Sequence, residues 1–291
     1  MHGGELFEKK SLADFTSWRV GGLAQRLYLP ADLADLSQFL QKLPEQEPLI
    51  WLGLGSNTLV RENGVRGTVI ITQGRLNVTE QLSENIIRAE AGVACPAFAR
   101  YCARKGLLGV EFLAGIPGTI GGALAMNAGC HGGETWEHVI AVETIDRHGE
   151  KRLRRPQDYK IAYRSVTSVG DVKDEWFVAG HFQLRPGAKE ESLEIIRELL
   201  AYRTKTQPTN EPSCGSVFRN PPGDYAARLI ESAGLKGKKI GGACVSTKHA
   251  NFIVNEGTAT AADIEALINL VAQTVKEKYG ISLVREVHII G

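Results

Sequence analysis

Glycine is concentrated in one part of this 291-residue chain: between positions 115 and 133, seven of nineteen residues are glycine (Gly115, Gly118, Gly121, Gly122, Gly129, Gly132 and Gly133). Residues without a side chain lose the most conformational freedom on folding. A run of this density therefore reads as a loop that a ligand or close packing must order. It also lets backbone N–H groups converge on an anion such as a pyrophosphate. A second glycine turn, GLGSN at 53–57, follows the apolar run EPLIWL, which is expected to be a buried strand. The familiar phosphate motifs are missing. No G-x-x-x-x-G-K-[ST] occurs, and GLGSNTLV is not G-x-G-x-x-G, so neither a P-loop nor a Rossmann unit is expected.

Charge narrows the function classes. Lys plus Arg is 34 against 33 for Asp plus Glu, a net charge of +1. Nucleic acid and anionic membrane surfaces select a basic excess, so neither is expected as a partner. The opening MHGGELFEKKSLADF has no apolar signal-peptide core, and no later stretch is long and apolar enough for a membrane span. Five scattered cysteines without a C-x-x-C pair suggest neither a zinc site nor a disulfide framework, and a reducing cytoplasm is the simplest setting.

Strands are expected at EPLIWLGLG, GTVIIT, NIIRAEAG, HVIAVETID and WFVAGHFQL, and a helix at PAFARYCARKGL, opened by Pro96 and ended by Gly106. Near residue 188 the pattern becomes helical through Leu193, Ile196, Leu199, Leu200 and Arg203, and a domain boundary is placed between 188 and 200. DYAARLIESAG reads as a helix capped by Gly234. Ile264, Leu267, Ile268, Val271 and Val275 form one apolar stripe of a helix ending at Gly280. ISLVREVHIIG reads as a terminal strand whose alternation puts Glu286 on one face with Val284, His288 and Ile290.

Three places carry polar groups in unusual company: Arg164 beside Tyr163, Ser216 in CGSVFRNPPG, and Glu286 in LVREVHIIG. A carboxylate on an apolar face is costly unless paired, so Glu286 alone is accounted for by an ion pair with an arginine. No G-x-S-x-G elbow occurs. From its residues alone the chain reads as a soluble, multi-domain nucleotide-binding enzyme of unstated reaction.

Seven segments in order nevertheless resemble the UDP-N-acetylenolpyruvoylglucosamine reductase family: TSWRVGG (16–22), LGLGSNTLV (52–60), EFLAGIPGTIGGALAMNAGCHGGE (111–134), YRSV (163–166), CGSVFRNP (214–221), AARLIESAGLKGKKIGGACVSTKHANFIVN (226–255) and VREVHIIG (284–291). The short stretch between Ser216 and Glu286 is similar to the family's shorter variant, which lacks an extra substrate-covering loop. The resemblance implies an α+β flavoprotein: an FAD-binding fold of the vanillyl-alcohol-oxidase (PCMH) type in two subdomains, 1–72 and 73–195, and a C-terminal α+β domain, 196–291, for the UDP-sugar. It implies a cytoplasmic, monomeric NADPH-dependent oxidoreductase. Its reaction converts UDP-N-acetylglucosamine enolpyruvate to UDP-N-acetylmuramate in peptidoglycan precursor biosynthesis, serving cell-wall biogenesis, cell shape and division. Its cofactors are FAD and NADPH, with no metal.

By the same resemblance, Gly53, Leu54, Gly55, Ser56, Asn57, Gly115, Pro117, Gly118, Thr119, Gly121, Gly122, Asn127 and Gly129 would line the FAD. In the family's reaction NADPH reduces the flavin, which passes hydride to the terminal carbon of the vinyl ether. Arg164 would bind the substrate carboxylate and stabilise the charge developing beside it. Ser216 would be the proton donor, and Glu286 would orient the carboxylate. Asn220, His249, Arg203 and Lys205 match positions near the UDP-sugar, with Lys238 and Lys239 as further phosphate candidates. Cys214, two residues before Ser216, stands where alanine is common in the family and is a rival donor. His131 would be the point of covalent flavin attachment if the chain were instead an oxidase of the same fold.

Overall fold

The computed structural model describes residues 3–170, 172 and 174–291. Six α-helices occur among them: α1 (Leu33–Gln41), α2 (Cys95–Arg104), α3 (Ile120–Met126), α4 (Lys189–Thr206), α5 (Ala226–Ser232) and α6 (Ala261–Tyr279). The chain divides into two compact units, each assembled from separated segments. The first comprises 1–7, 26–54 and 67–202, and the second 8–25, 55–66 and 203–291. The backbone thus changes unit inside GLGSN, between Leu54 and Gly55, and again within α4.

The first unit is organised by an antiparallel five-stranded sheet in the order Lys151–Arg154, Val139–Asp146, Glu175–Gln183, Ile86–Glu90 and Thr79–Gln81. The expected strands NIIRAEAG, HVIAVETID and WFVAGHFQL supply its three central members. Alternation drives the packing: Ile87, Val142 and Phe182 are buried with Phe98 of α2 and Leu124 of α3 in one core. Pro96 stands in the first turn of α2, where its missing N–H costs nothing, and Gly106 follows in a left-handed conformation. Leu193, Ile196 and Leu200 of α4 pack on the same core. A parallel pair, Leu49–Leu52 with Val65–Ile71, accounts for the predicted strands EPLIWL and GTVIIT.

In the second unit the five stripe residues of α6, Ile264, Leu267, Ile268, Val271 and Val275, are all buried. They pack with Leu59, Phe218, Leu229 and Ile253, and Gly280 ends the helix in the left-handed region. Thr260 and Asp263 form a reciprocal capping box at its start. A three-stranded antiparallel sheet joins Lys239–Ile240, Ala243–Val245 and Ile253–Asn255. Trp18 is fully buried and donates its indole N–H to Ile253 O at 2.7 Å. The terminal segment is a strand only over His288–Ile290, parallel to Thr58–Val60.

Candidate flavin loop and substrate residues

The glycine-rich stretch is not a loop. A 3-10 turn at Glu111–Gly115 leads into α3, and a short antiparallel pair, Gly129–Cys130 with Gly133–Glu134, follows it. Three of its glycines, Gly121, Gly129 and Gly133, sit where an added Cβ would clash with a neighbour. A Cβ on Gly121, inside α3, would lie 2.8 Å from Ala91 Cβ, and one on Gly129 would lie 2.5 Å from Gly133 O. Ile120 N and Gly121 N donate to Val93 O and Ala91 O, both at 2.9 Å, so the helix is laid directly along the 91–93 segment.

At the start of α3, Thr119 is buried, and its Oγ1 has no hydrogen-bond partner among the described residues. Buried hydroxyls are normally satisfied. Gly53 lies against that oxygen so closely that a Cβ there would be 2.3 Å away, and a Cβ on Gly122 would be 3.8 Å away. An orphaned donor cradled by two glycines fits a group that accepts hydrogen bonds and needs bare backbone, as the phosphates or ribityl hydroxyls of FAD do.

Arg164 lies in the two-residue turn joining the strands Tyr159–Ala162 and Ser165–Ser168, with φ 54°. Its Nη2 donates to Gly129 O at 2.7 Å and its Nη1 to Asn127 O at 3.4 Å. The predicted carboxylate-binding arginine and the predicted flavin segment are thus brought together within one unit. Asn127 is fully buried, at φ 41°, where it ends α3. His131 has its ring edge-on to Tyr202, with centroids 5.5 Å apart.

Ser216 and Glu286 are brought together in the second unit. Gly215, at φ 69°, turns the chain into Ser216. Val217 O accepts from Glu286 N at 2.8 Å, Phe218 bridges Arg285, and Arg219 N donates to Val284 O at 2.9 Å. Asn57 Nδ2 donates to Glu286 O at 3.1 Å, and Asn57 O accepts from His288 N at 2.9 Å. Glu286 does not share an apolar face. Val284 is 60% exposed and His288 is exposed, while the buried neighbour is Val287, on the opposite side. Pairing with the 217–219 segment, rather than a regular sheet, sets the orientation here.

The sequence pattern gave no hint of Asn251. Buried, it accepts from Phe218 N at 3.0 Å through Oδ1 and donates to Phe218 O at 2.8 Å through Nδ2, while its own O takes Val217 N–H. It mimics a strand partner for the residues just after Ser216. His249 Nδ1 accepts from Asn251 N at 3.3 Å, and burial, reinforced by Lys236, lowers the imidazole pKa. Asn220 Oδ1 accepts from Ala226 N at 3.1 Å at the start of α5. In the last turn of α4, Arg203 Nε donates to Gln207 Oε1 at 3.1 Å, and Lys205 is exposed. Lys239 pairs with Glu256 at 2.7 Å, and Lys238 is exposed.

Cys214 is buried, with its Sγ 3.3 Å from Ser17 Oγ and near the carbonyls of Gly55 and Thr58. Burial pushes the thiol pKa up to about 11. A buried, neutral thiol held against Ser17 and two carbonyls is a poorer fit to a proton donor than the half-buried Ser216.

Residues 24–152 match the FAD binding domain family and residues 207–290 match the UDP-N-acetylenolpyruvoylglucosamine reductase C-terminal domain. A UDP-N-acetylenolpyruvoylglucosamine reductase from Legionella pneumophila (strain Corby) is 63% identical over 99% of this chain and 93% of its own length. One from Alkalilimnicola ehrlichii is 59% identical over 99% of this chain and 95% of its own. The crystal structure of UDP-N-acetylenolpyruvylglucosamine reductase (MurB) from Thermus caldophilus superposes with a TM-score of 0.83 at 32% identity, covering 99% of both chains. The fold is therefore the α+β flavoprotein architecture with an added C-terminal domain, and the chain belongs to the UDP-N-acetylenolpyruvoylglucosamine reductase family.

Proposed function

We infer that this chain catalyses the NADPH- and FAD-dependent reduction of UDP-N-acetylglucosamine enolpyruvate to UDP-N-acetylmuramate, a step in peptidoglycan precursor synthesis. The observation that carries the reading is the 63% identity to a reductase of that name across 99% of the chain. Bound FAD supplies a two-electron carrier that takes hydride from NADPH and passes it to the vinyl ether. Thr119, Gly53 and the α3 segment would hold it, on the fit of the orphaned hydroxyl and the bare backbone beside it.

The remaining chemistry falls to the chain's own side chains. Hydride addition at the terminal carbon of the vinyl group breaks the C=C π bond and leaves an electron pair on the adjacent carbon, conjugated with the carboxylate. Arg164 binds that carboxylate and offsets its growing charge. Ser216 delivers a proton to the same carbon, and the product is a lactyl ether; the hydroxyl is a weak acid in water, but its partner here is carbanion-like. Glu286, paired with Val217 next to Ser216 in the backbone ladder, orients the carboxylate.

We assign 196–291 to UDP-sugar binding, with Asn220, His249, Arg203 and Lys205 toward that ligand and the two preceding segments toward FAD. A monomer working in the cytoplasm suits a nucleotide-sugar substrate; no described helix is long and apolar enough to cross a membrane. The test is mass spectrometry of the sugar nucleotide after anaerobic incubation with NADPH and the FAD-loaded protein. The expected product is two hydrogens heavier than the substrate. An unchanged mass in the presence of reduced flavin would refute the reading.

A further inference from the structure

The functional reading makes Arg164 the carboxylate-binding group, and the inference here rests on that reading. We propose that Asn127, locked by Glu134, is a positioning residue that sets the plane of the Arg164 guanidinium.

Every polar atom of the Asn127 side chain is committed inside the protein. Nδ2 donates to Glu134 Oε2 at 2.7 Å and to Ala162 O at 3.4 Å, and Oδ1 accepts from Trp136 N at 3.1 Å. One buried amide thus ties together three segments: the end of α3, the 134–136 corner, and the turn at 162 that carries Arg164. The corner is itself anchored, because Trp136 Nε1 donates to Leu124 O at 2.8 Å and the Trp136 ring packs on Tyr159 and Phe177. The Glu134 backbone N–H is itself held by Glu137 Oε2 at 3.1 Å, which anchors the residue that carries the carboxylate.

The main chain of the same residue does the positioning. At φ 41° Asn127 turns the backbone so that its own carbonyl and that of Gly129 both accept from the Arg164 guanidinium. Asparagine tolerates this left-handed conformation better than other residues with a Cβ. Gly129 is paired with Glu134 in the short antiparallel ladder, which directs its carbonyl. Recognition of a carboxylate by a guanidinium depends on coplanarity, and a rotated guanidinium makes one bond where two are needed. Loosening the 127–134 corner would therefore weaken substrate binding through Arg164, with no contact between Asn127 and the substrate.

The experiment is a double-mutant cycle read by calorimetric binding of UDP-N-acetylmuramate to the FAD-loaded holoenzyme. Glu134→Ala is expected to weaken binding by roughly 10-fold in the native background, but by less than about 2-fold when Arg164 is already alanine. An equal loss in both backgrounds would mean that Glu134 acts independently of Arg164, and the proposal would fall. Asn127→Asp removes the donor and opposes two carboxylates, so it should lose at least about 10-fold. Adding Glu134→Gln restores a donor–acceptor pair in reversed sense and should bring affinity back to within about 3-fold. Absence of this recovery in a folded double variant would also overturn the proposal. Failure of the native holoenzyme to bind the nucleotide at all would overturn the functional reading, and the positioning role with it.

Discussion

Asn251 holds Phe218 by both of its backbone polar atoms, Oδ1 to N at 3.0 Å and Nδ2 to O at 2.8 Å, from 33 residues away in sequence. Phe218 is itself buried, so neither atom has water as an alternative. Asn251→Leu should leave two backbone groups unsatisfied and cost about 2–4 kcal/mol of stability. Because Val217 and Phe218 follow Ser216 directly, the same variant should slow substrate reduction more than it slows flavin reduction by NADPH. Urea unfolding and the two half-reactions measured separately check both statements.

Ser216 and Cys214 are two residues apart but occupy opposite environments, the first half-buried and the second sealed against Ser17. Ser216→Ala should still allow NADPH to bleach the flavin, while reoxidation by the enolpyruvyl sugar slows by roughly a thousandfold, about 4 kcal/mol of barrier. Cys214→Ala should keep the reoxidation rate within a few-fold of native and lose only stability, about 1 kcal/mol, from the vacated packing and hydrogen bond. Stopped-flow traces of both variants would separate the two roles, and a thousandfold loss in the cysteine variant would contradict the assignment.

Gly121→Ala sets propensity against sterics. Alanine favours a helix over glycine by about 1 kcal/mol. Here its Cβ would meet Ala91 Cβ at 2.8 Å and Ala91 O at 3.2 Å, so α3 must lift off the 91–93 segment. Thr119, at the start of that helix, would move with it. The expected result is a weakened hold on FAD, read as loss of flavin absorbance after gel filtration, despite the better helix former.

Acid stability should depend on Glu143. Arg88 grips its carboxylate through Nε at 2.6 Å and Nη2 at 2.8 Å, and His181 Nε2 lies 2.8 Å from Oε1. The Arg88 hydrogen bonds, joined by those of His181, outweigh the desolvation penalty and hold the carboxyl at about 2, against a usual 4.5. A depressed folded-state pKa contributes stability that is fully present above the usual value and is lost as pH falls toward the folded one. Urea midpoints should therefore drop between about pH 4.5 and about pH 2. Glu143→Gln should start lower at neutral pH and show a shallower decline over that window.

Sequence reading reached α2, α4, α5 and α6 but not α1 or α3, and it succeeded most clearly where period and cap agree. In α6 all five stripe residues are buried and Gly280 adopts the left-handed conformation that a C-terminal cap needs. It singled out Arg164, Ser216 and Glu286 as polar groups in unusual company, while their roles came from the family resemblance. The glycine run was misjudged because glycine signals both a turn and a close approach, and at Gly121 the second applies, within a helix. The terminal strand was drawn too long because residues 284–286 pair with the irregular 217–219 segment, where alternation no longer predicts burial. Asn251 carries no local signal, since its work is done on a backbone distant in sequence. The Asn127–Glu134 corner is invisible for the same reason: its partners Ala162 and Arg164 lie 35 and 37 residues beyond the asparagine.

The central claim is tested most directly by anaerobic titration of the FAD-loaded protein with NADPH, in the presence and absence of UDP-N-acetylglucosamine enolpyruvate. The account predicts that NADPH oxidation stops at one equivalent of flavin without the sugar and continues to the full equivalent of added sugar with it. Flavin that NADPH reduces and the enolpyruvyl sugar leaves reduced would contradict it.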